Sequence, residues 1–210
     1  MIKLLIADDH SIVRQGLKQI ISDTSNMTVI DEAANGQEVL DKIESQQIDV
    51  LILDLNMPGK SGLEILKQIK KIRPKLPILV LTIYPEDQYA FRVLKAGASG
   101  YLTKESAPSE LINAIEKVAH GGKYVTPSLA EKLAVYLEVN SDKPLYLTLS
   151  DREFQVMRQI ASGKTLKEIA EKLCLSVKTI STYRARILEK MKMKTNAEIT
   201  HYAFQNNLVE

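Results

Sequence analysis

The stretch from Val50 to Pro58, VLILDLNMP, decides the fold. Its four leading apolar residues are typical of a short strand buried on both faces, and a carboxylate, Asp54, follows directly. Similar runs rich in Ile, Leu and Val occur at 2–7, 27–30, 78–81 and, more weakly, 100–102. Helical patterns at 12–21, 37–45, 63–72, 87–96 and 109–120 separate or follow these runs. This alternation predicts an α/β doubly wound sheet of five parallel strands.

The tail after Tyr146 differs, because no strand-like apolar run follows that residue. Capping pairs at Ser150/Glu153, Thr165/Glu168 and Thr195/Glu198 indicate a chain of short helices. The predicted helices span 151–162, 166–173, 177–192 and 196–206. We therefore expect an α/β domain at 1–120, a linker at 121–147 containing a helix from Pro127 to about 139, and a small all-α four-helix domain at 148–210.

The composition excludes several classes of protein. Only one of the 210 residues is a cysteine, which argues against a disulfide framework or a Cys-rich metal site and fits a reducing compartment. No apolar stretch approaches the ~18 residues needed to span a bilayer. The N-terminus has the pattern of a first strand and not of a signal peptide. We expect a cytoplasmic protein without a membrane partner.

The net charge of +2 conceals an uneven distribution. Residues 1–128 hold 15 basic and 16 acidic residues, whereas residues 148–210 hold 11 and 7. Within 178–194, six basic residues accompany only Glu189. Such a basic cluster on a short helix indicates phosphate-backbone binding, although a solvated helix face is an equal alternative on charge alone.

Polar side chains occur where four of the five predicted strands end. Asp8 and Asp9 follow the first strand, Asp54 the third and Lys104 the fifth, while Thr82 ends the fourth. The carboxyl ends of parallel strands meet at one edge of the sheet, where ligands bind. Three adjacent carboxylates repel unless a cation lies among them, and Mg²⁺ is a hard ion that carboxylates bind.

Structural alternatives exist for each residue alone. Asp9 could cap the helix that starts near Ser11, and Lys104 could be an ordinary surface lysine. The presence of all five residues at strand ends of one sheet favours a functional site.

These residues resemble the receiver domain of two-component response regulators over about 1–120. The resemblance is carried by Asp8-Asp9, Asp54-Leu55-Asn56-Met57-Pro58-Gly59 with Gly62, Thr82, Lys95-Ala96-Gly97-Ala98 and Gly100-Tyr101-Leu102-Thr103-Lys104. It implies that Asp54 accepts a phosphoryl group from a sensor histidine kinase and that Lys104 pairs with the phosphoryl oxygens. It also implies that Asp9, the Asp54 side chain and the Asn56 carbonyl hold Mg²⁺, with Asp8 acting partly through water.

The resemblance also implies a switch. After phosphorylation the Thr82 hydroxyl would move toward the phosphoryl group, and Tyr101 would turn inward. The alternative for Tyr101 is an ordinary half-buried aromatic residue.

Two residues depart from the receiver pattern. Ile83 stands where a small residue is common, and Glu105 stands where many receivers have proline. Because a bulky Ile83 restricts access to the phosphorylated aspartate, we expect only slow self-dephosphorylation. The chain is otherwise not expected to be an enzyme.

Residues 166–192 have the pattern of a helix, a tight turn and a second helix. Leu166, Ile169, Ala170 and Leu173 form one apolar stripe, and Val177, Ile180, Ile187, Leu188 and Met191 form the other. The flank of the second helix away from its stripe carries Lys178, Ser181, Thr182 and Ala185. This is a helix-turn-helix arrangement, whose second helix enters the major groove of DNA.

The segment 148–210 resembles the LuxR-type helix-turn-helix of the NarL/FixJ response regulators. The matching residues are Leu149-Ser150-Asp151-Arg152-Glu153, Lys167-Glu168-Ile169-Ala170, Ser176-Val177-Lys178-Thr179-Ile180 and 183–191. Residues 173–176 and 182–184 lean toward the GacA/UvrY-like branch. The resemblance implies double-stranded promoter DNA as a ligand, a third helix that reads DNA, a fourth helix that pairs subunits on activation, and RNA polymerase as a further partner.

The predicted DNA-binding residues are Lys164, Lys178, Thr179, Ser181, Thr182, Tyr183, Ala185 and Arg186. Ser181, Thr182 and Ala185 are expected at base edges, and the basic residues and Tyr183 at phosphates. Arg184 falls near the apolar stripe, which makes a DNA role for it doubtful. Cys174, beside the turn, is expected to be small buried core filler.

Three other functions remain open. A Mg²⁺-dependent phosphohydrolase would also use a strand-end aspartate, but Asn56 stands where its second carboxylate belongs. A one-component regulator would bind a small ligand in the α/β domain, and the acidic cluster would then have no role. The tail could also be a helical packing or partner module without DNA affinity.

Overall fold

A computed structural model describes residues 1–58, 61–138 and 144–209. By its internal contacts the chain divides into two compact units, Met1–Glu131 and Lys132–Glu210. The division falls inside the predicted linker. None of the helices in the described ranges is long and apolar enough to cross a membrane.

The first unit is built on one five-stranded sheet. Its strands are β1 (Ile2–Ala7), β2 (Met27–Ala33), β3 (Val50–Leu53), β4 (Ile78–Thr82) and β5 (Gly100–Thr103). They lie in the order β2-β1-β3-β4-β5, and every neighbouring pair is parallel. The prediction of a doubly wound parallel sheet is confirmed. β3 and β4 are buried along their whole length, which explains why their sequences are apolar without alternation.

Five helices connect or follow the strands: α1 (Ser11–Ser22), α2 (Gly36–Ser45), α3 (Gly62–Ile72), α4 (Glu86–Lys95) and α5 (Ala107–Ala119). Their bounds lie within two residues of those predicted. Leu17 of α1 and Leu111 of α5 pack with Ile6, Ile52 and other side chains in one buried cluster on one face of the sheet. Because all the strands are parallel, the residues that follow them emerge at one edge of the sheet.

The second unit is helical. α6 (Pro127–Glu138) crosses the division between the units, and a short 3-10 helix, Leu145–Thr148, follows it. Then come α7 (Asp151–Ala161), α8 (Leu166–Leu173), α9 (Val177–Lys190) and α10 (Asn196–Gln205), as predicted. The boxes at Ser150/Glu153 and Thr165/Glu168 have both reciprocal hydrogen bonds. Phe154, Ile169, Ile180 and Ile187 lie in the core of this unit.

Two predictions for the tail are wrong. Cys174 is exposed and not buried, because it ends α8 in a left-handed conformation with φ of 53°. Val177, placed in the apolar stripe of α9, is 48% exposed. It is the first residue of α9, and the buried side of that helix begins one turn later at Ile180.

Candidate functional site

Three predicted site residues meet at the carboxyl edge of the sheet. Lys104 Nζ lies 2.6 Å from Asp8 Oδ2 and 2.7 Å from Asp54 Oδ2. Both carboxylates are buried, with Asp8 1% and Asp54 2% exposed. Lys104 is held in place by its own backbone, because its N–H donates to the carbonyl of Thr82 at 2.8 Å. The alternative that Lys104 is an ordinary surface lysine does not fit this position.

The electrostatics of Lys104 follow from these contacts. Burial lowers the pKa of its ammonium, but the hydrogen bonds to Asp54 and Asp8 raise it more, so that the pKa lies above its usual value. The side chain is therefore a fixed positive charge between two buried carboxylates throughout the physiological range.

Asp9 supplies a third carboxylate. α1 begins after His10 and not after Asp9, and the His10 N–H donates to Asp8 Oδ1 at 2.9 Å. Asp9 Oδ1 is buried and lacks a well-aligned hydrogen-bond donor among the described residues, although His10 Nδ1 lies 2.7 Å away. Asp8, Asp9 and His10 each offer one ligand atom within 4.8 Å of the others.

The two carboxylates of this set fit Mg²⁺, whereas an imidazole is not a ligand that this ion prefers. Adjacent carboxylates, one of them with a buried oxygen that lacks a well-aligned donor, favour a hard divalent cation. His10 was not among the predicted site residues, although its position directly after Asp8-Asp9 was the available signal.

The backbone around Asp54 is tightly packed. Asp54 Oδ1 accepts from the Asn56 N–H at 3.1 Å. Gly62, the first residue of α3, lies against the same strand end, where an added Cβ would come within 2.5 Å of the Asp54 carbonyl oxygen and of Leu55 Cα. Only glycine therefore allows α3 to begin so close to the Asp54 backbone.

Thr82 and Tyr101 are linked through the loop after β4. Both are fully buried. Thr82 Oγ1 accepts from the Tyr84 N–H at 3.5 Å, and the Tyr101 hydroxyl donates to the Tyr84 carbonyl at 2.8 Å. Tyr101 thus already faces inward in this structure. Ile83, between Thr82 and Tyr84 in the loop, is 62% exposed.

Tyr84 is a site residue that sequence reasoning missed. Its ring stacks on Tyr89 with centroids 4.6 Å apart, and its hydroxyl lies 3.4 Å from Asn56 Oδ1. Tyr84 therefore joins the loop after β4 to the loop after β3. No short sequence motif marks such a contact.

The predicted DNA-binding residues lie on open surface. Lys164, Lys178, Ser181, Thr182, Ala185 and Arg186 are exposed, and Thr179 and Tyr183 are partly exposed. The Ser176 side chain caps α9 by accepting from the Thr179 N–H at 3.0 Å. Thr182 Oγ1 donates to the Lys178 carbonyl at 3.0 Å, which leaves its oxygen able to accept a further hydrogen bond.

Two basic residues of the α9 cluster are used within the second unit. Lys190 Nζ lies 2.7 Å from Glu153 Oε2, whose side chain is 3% exposed. Burial raises the pKa of Glu153, but the hydrogen bonds from Lys190 and Ser150 lower it more, and the pKa falls below its usual value. Arg184 Nε donates to Asn196 Oδ1 at 2.6 Å, which supports the doubt about its DNA role.

Comparison with known families matches both parts of the chain. The family model described as "Response regulator receiver domain" matches residues 4–116, and that described as "Bacterial regulatory proteins, luxR family" matches residues 147–203. The chain belongs to the NarL/FixJ family of two-component response regulators. It is a response regulator with a receiver and a LuxR-type DNA-binding domain.

Similar proteins cover almost the whole response regulator. Response regulator UvrY of Escherichia coli strain K12 is 35% identical over 209 residues, covering 99% of this chain and 96% of that protein. Oxygen regulatory protein NreC of Staphylococcus carnosus is 38% identical over 215 residues, covering 99% of each. GacA of Pseudomonas aeruginosa is 35% identical, covering 100% of this chain and 99% of that protein.

Solved structures of full-length regulators are also similar. RcsB of Salmonella typhimurium is 28% identical with a TM-score of 0.72, covering 98% of both chains. RcsB of Salmonella enterica serovar Typhimurium bound to promoter rprA with phosphomimetic BeF3⁻ is 29% identical with a TM-score of 0.70, covering 96% of this chain and 97% of that one.

Proposed function

We propose that Asp54 accepts a phosphoryl group from the phosphohistidine of a sensor histidine kinase, and that this changes dimerisation and DNA binding to control transcription. The observation that carries the proposal is the Lys104 ammonium held between Asp8 and Asp54 at 2.6 and 2.7 Å. A buried nucleophilic carboxylate beside a fixed cation is what phosphoryl transfer requires.

The phosphoryl transfer is a substitution at the phosphorus atom. An Asp54 carboxylate oxygen forms the new O–P bond while the N–P bond of the phosphohistidine breaks, and the electron pair returns to the imidazole nitrogen. Lys104 then pairs with a phosphoryl oxygen and neutralises part of its charge. Asp8 keeps its hydrogen bond from the His10 N–H and so keeps its position.

The residues that would hold Mg²⁺ are Asp8, Asp9, Asp54 and the backbone carbonyl of Asn56. When bound, the ion supplies positive charge to the phosphoryl oxygens. The support for this assignment is the buried Asp9 Oδ1 without a well-aligned donor in the described part of the chain.

The switch uses Thr82 and Tyr101. A phosphoryl group on Asp54 offers strong acceptors to the Thr82 hydroxyl, which in this structure accepts from the Tyr84 N–H, so the hydroxyl turns toward the phosphoryl group and donates to it. The long 3.5 Å contact between Thr82 Oγ1 and the Tyr84 N–H is weak and breaks at little cost. Tyr101, already inward and bonded to Tyr84, then stabilises the shifted loop.

The DNA interface is the exposed flank of α9. Lys178 and Arg186, with Lys164 from the connection between α7 and α8, contact phosphates, while Ser181 and Thr182 reach base edges. The promoter-bound RcsB structure supports this role by family likeness. Two copies of α9 fit paired half-sites, so a homodimer is the DNA-binding form. RNA polymerase is the downstream partner, and the cytoplasm is the compartment in which promoter DNA is reached.

Phosphorylation is tested with acetyl phosphate and Mg²⁺. The wild-type protein should gain the mass of one phosphoryl group, and Asp54→Asn should gain none. Asp49→Asn is the matched control, since Asp49 accepts from the Lys3 N–H at 2.8 Å and lies at the other end of β3. Equal mass gain in wild type and Asp54→Asn would refute the assignment of the phosphoacceptor.

A further inference from the structure

Residues 122–126, here called the strap, follow α5 and pass beside β5 at the outer edge of the sheet. β5 is the last strand in the order β2-β1-β3-β4-β5. The Tyr124 N–H donates to the Ser99 carbonyl at 2.9 Å, and the Tyr101 N–H donates to the Tyr124 carbonyl at 3.1 Å. These bonds form a parallel bridge between Gly100 and Tyr124. The strap therefore holds the backbone of Tyr101, the switch residue.

Gly100 makes this close approach possible. A Cβ added at Gly100 would lie 3.0 Å from both the Cβ and the carbonyl oxygen of Tyr124, and 2.9 Å from Leu79 Cδ1. Backbone and a buried strand side chain cannot give way easily. Any residue larger than glycine at position 100 would therefore push the strap away from β5.

The side chain of Tyr124 fastens the strap to α5. Its hydroxyl donates to Glu110 Oε2 at 2.8 Å, and Lys117 Nζ lies 5.8 Å from the centre of its ring. Burial and the neighbouring Glu110 raise the pKa of Tyr124 to about 12. The hydroxyl thus remains a donor to Glu110 at neutral pH.

Thr126 ties the strap to α4. Thr126 Oγ1 donates to Glu86 Oε2 at 2.7 Å and accepts from the Leu129 N–H at 3.2 Å. The Thr126 carbonyl also accepts from the Ala130 N–H at 2.9 Å. The same hydroxyl therefore caps the first turn of α6 and binds the first residue of α4.

Two of these bonds, Thr126 to Glu86 and Tyr101 to Tyr124, lie next to the switch residues Thr82 and Tyr101. Glu86 is two residues beyond Tyr84, whose backbone contacts both Thr82 and Tyr101. Tyr101 is bonded to the strap through its N–H and to Tyr84 through its hydroxyl. A displacement of the loop 83–86 therefore acts on the strap at Thr126, through Glu86, and at Tyr124, through Tyr101.

We propose that the strap senses the loop between β4 and α4 and passes its state to the start of α6. When Thr82 turns toward a phosphorylated Asp54, the loop shifts, Glu86 releases Thr126, and the first turn of α6 loses its cap. The phosphorylation signal thereby reaches the chain segment that leads to the DNA-binding domain. This inference rests on the proposed function of Asp54.

Amide hydrogen exchange of the full-length chain tests the strap. Peptides covering 122–130 are compared with and without beryllofluoride and Mg²⁺, and we expect exchange on the order of fivefold faster in the activated state, the scale of one lost cap. Thr126→Val should show the same increase without activation. Thr24→Val is the control, since it loses a comparable local bond from its Oγ1 to the Ile21 carbonyl far from the strap.

Gly100→Ala provides a second variant and should also speed exchange at 122–130 in the resting state. The strap proposal is overturned if acetyl phosphate with Mg²⁺ adds the phosphoryl mass at Asp54 while beryllofluoride with Mg²⁺ leaves the exchange of 122–130 at the resting rate. It is also overturned if Thr126→Val and Gly100→Ala both exchange like wild type. Absence of the mass gain itself would instead contradict the proposed function.

Discussion

At the scale of single residues, Lys104 is central because it is the cation between two buried carboxylates. We predict that Lys104→Met lowers the free energy of unfolding at pH 7 by about 3 kcal/mol, since Asp8 and Asp54 are left buried without a positive partner. Because a protonated carboxyl needs no positive partner, the loss should be smaller at pH 5 than at pH 7. Urea denaturation at both pH values measures this.

Lys3→Met is the matched control, since Lys3 is an exposed lysine of the same sheet. A loss of stability for Lys104→Met that is the same at pH 5 and pH 7 would show that charge pairing is not its cause. In the wild type, the raised pKa of Lys104 means that its contribution is fully present below its unfolded pKa of about 10.4 and is lost only above it.

Ile83 is expected to slow self-dephosphorylation. It is 62% exposed in the loop that follows Thr82, at the carboxyl edge where Asp54 lies. We predict that Ile83→Ala hydrolyses the aspartyl phosphate on the order of tenfold faster, a change of about 1.4 kcal/mol in the barrier, because water gains access. The decay of the phosphorylated mass at neutral pH is the measurement.

Ile72→Ala, at the exposed end of α3, controls for loss of an apolar surface side chain. A wild-type half-life of only seconds would contradict the prediction of slow hydrolysis.

At the scale of elements, α9 carries two kinds of basic residue. Lys178 is exposed, whereas Lys190 is paired with the buried Glu153. We predict that Lys178→Ala weakens DNA binding. The slope of the logarithm of the binding constant against the logarithm of the salt concentration should become shallower by about 0.9, the share of one phosphate contact. Lys190→Ala should lower the melting temperature with little change in that slope. Binding across a salt series and thermal melting measure the two effects.

Thr182→Ala tests base reading on the same helix. It should alter the footprint at a target site, because Thr182 lies on the exposed flank of α9. Unchanged footprints for both Lys178→Ala and Thr182→Ala would count against α9 in the groove and would favour a packing module.

Helices and strands could be predicted wherever the sequence signal depends on neighbouring residues. Five apolar runs and the capping pairs gave strands and helices within a few residues, since burial periodicity and caps depend on neighbours along the chain. Cys174 and Val177 were misplaced because both lie at helix ends, where the helical angle no longer decides burial. The 3-10 helix at Leu145–Thr148 was missed because four residues are too few to show a helical period.

At the scale of the whole molecule, the proposed function couples phosphorylation of the receiver to DNA binding by the second domain. We predict that beryllofluoride with Mg²⁺ shifts the protein toward a dimer and tightens DNA binding. A ligand that binds the dimeric, DNA-binding state more tightly than the resting state shifts the protein toward that state. Analytical ultracentrifugation and DNA titration of the same samples measure both. Asp54→Asn should respond in neither assay, and an unresponsive wild type would refute the coupling.

The sequence alone determined the two-part architecture and the basic helix, because each depends on residues close together along the chain. It also determined the acidic edge, because parallel strands bring their carboxyl ends to one edge of the sheet. Tertiary structure decided which charges are already paired. Lys190 meets Glu153, 37 residues away, and Tyr124 lies on Gly100 only because β5 is the outer strand. The inward position of Tyr101 was likewise settled by packing against Tyr84. Such contacts follow from distances in space, which spacing in the sequence does not specify.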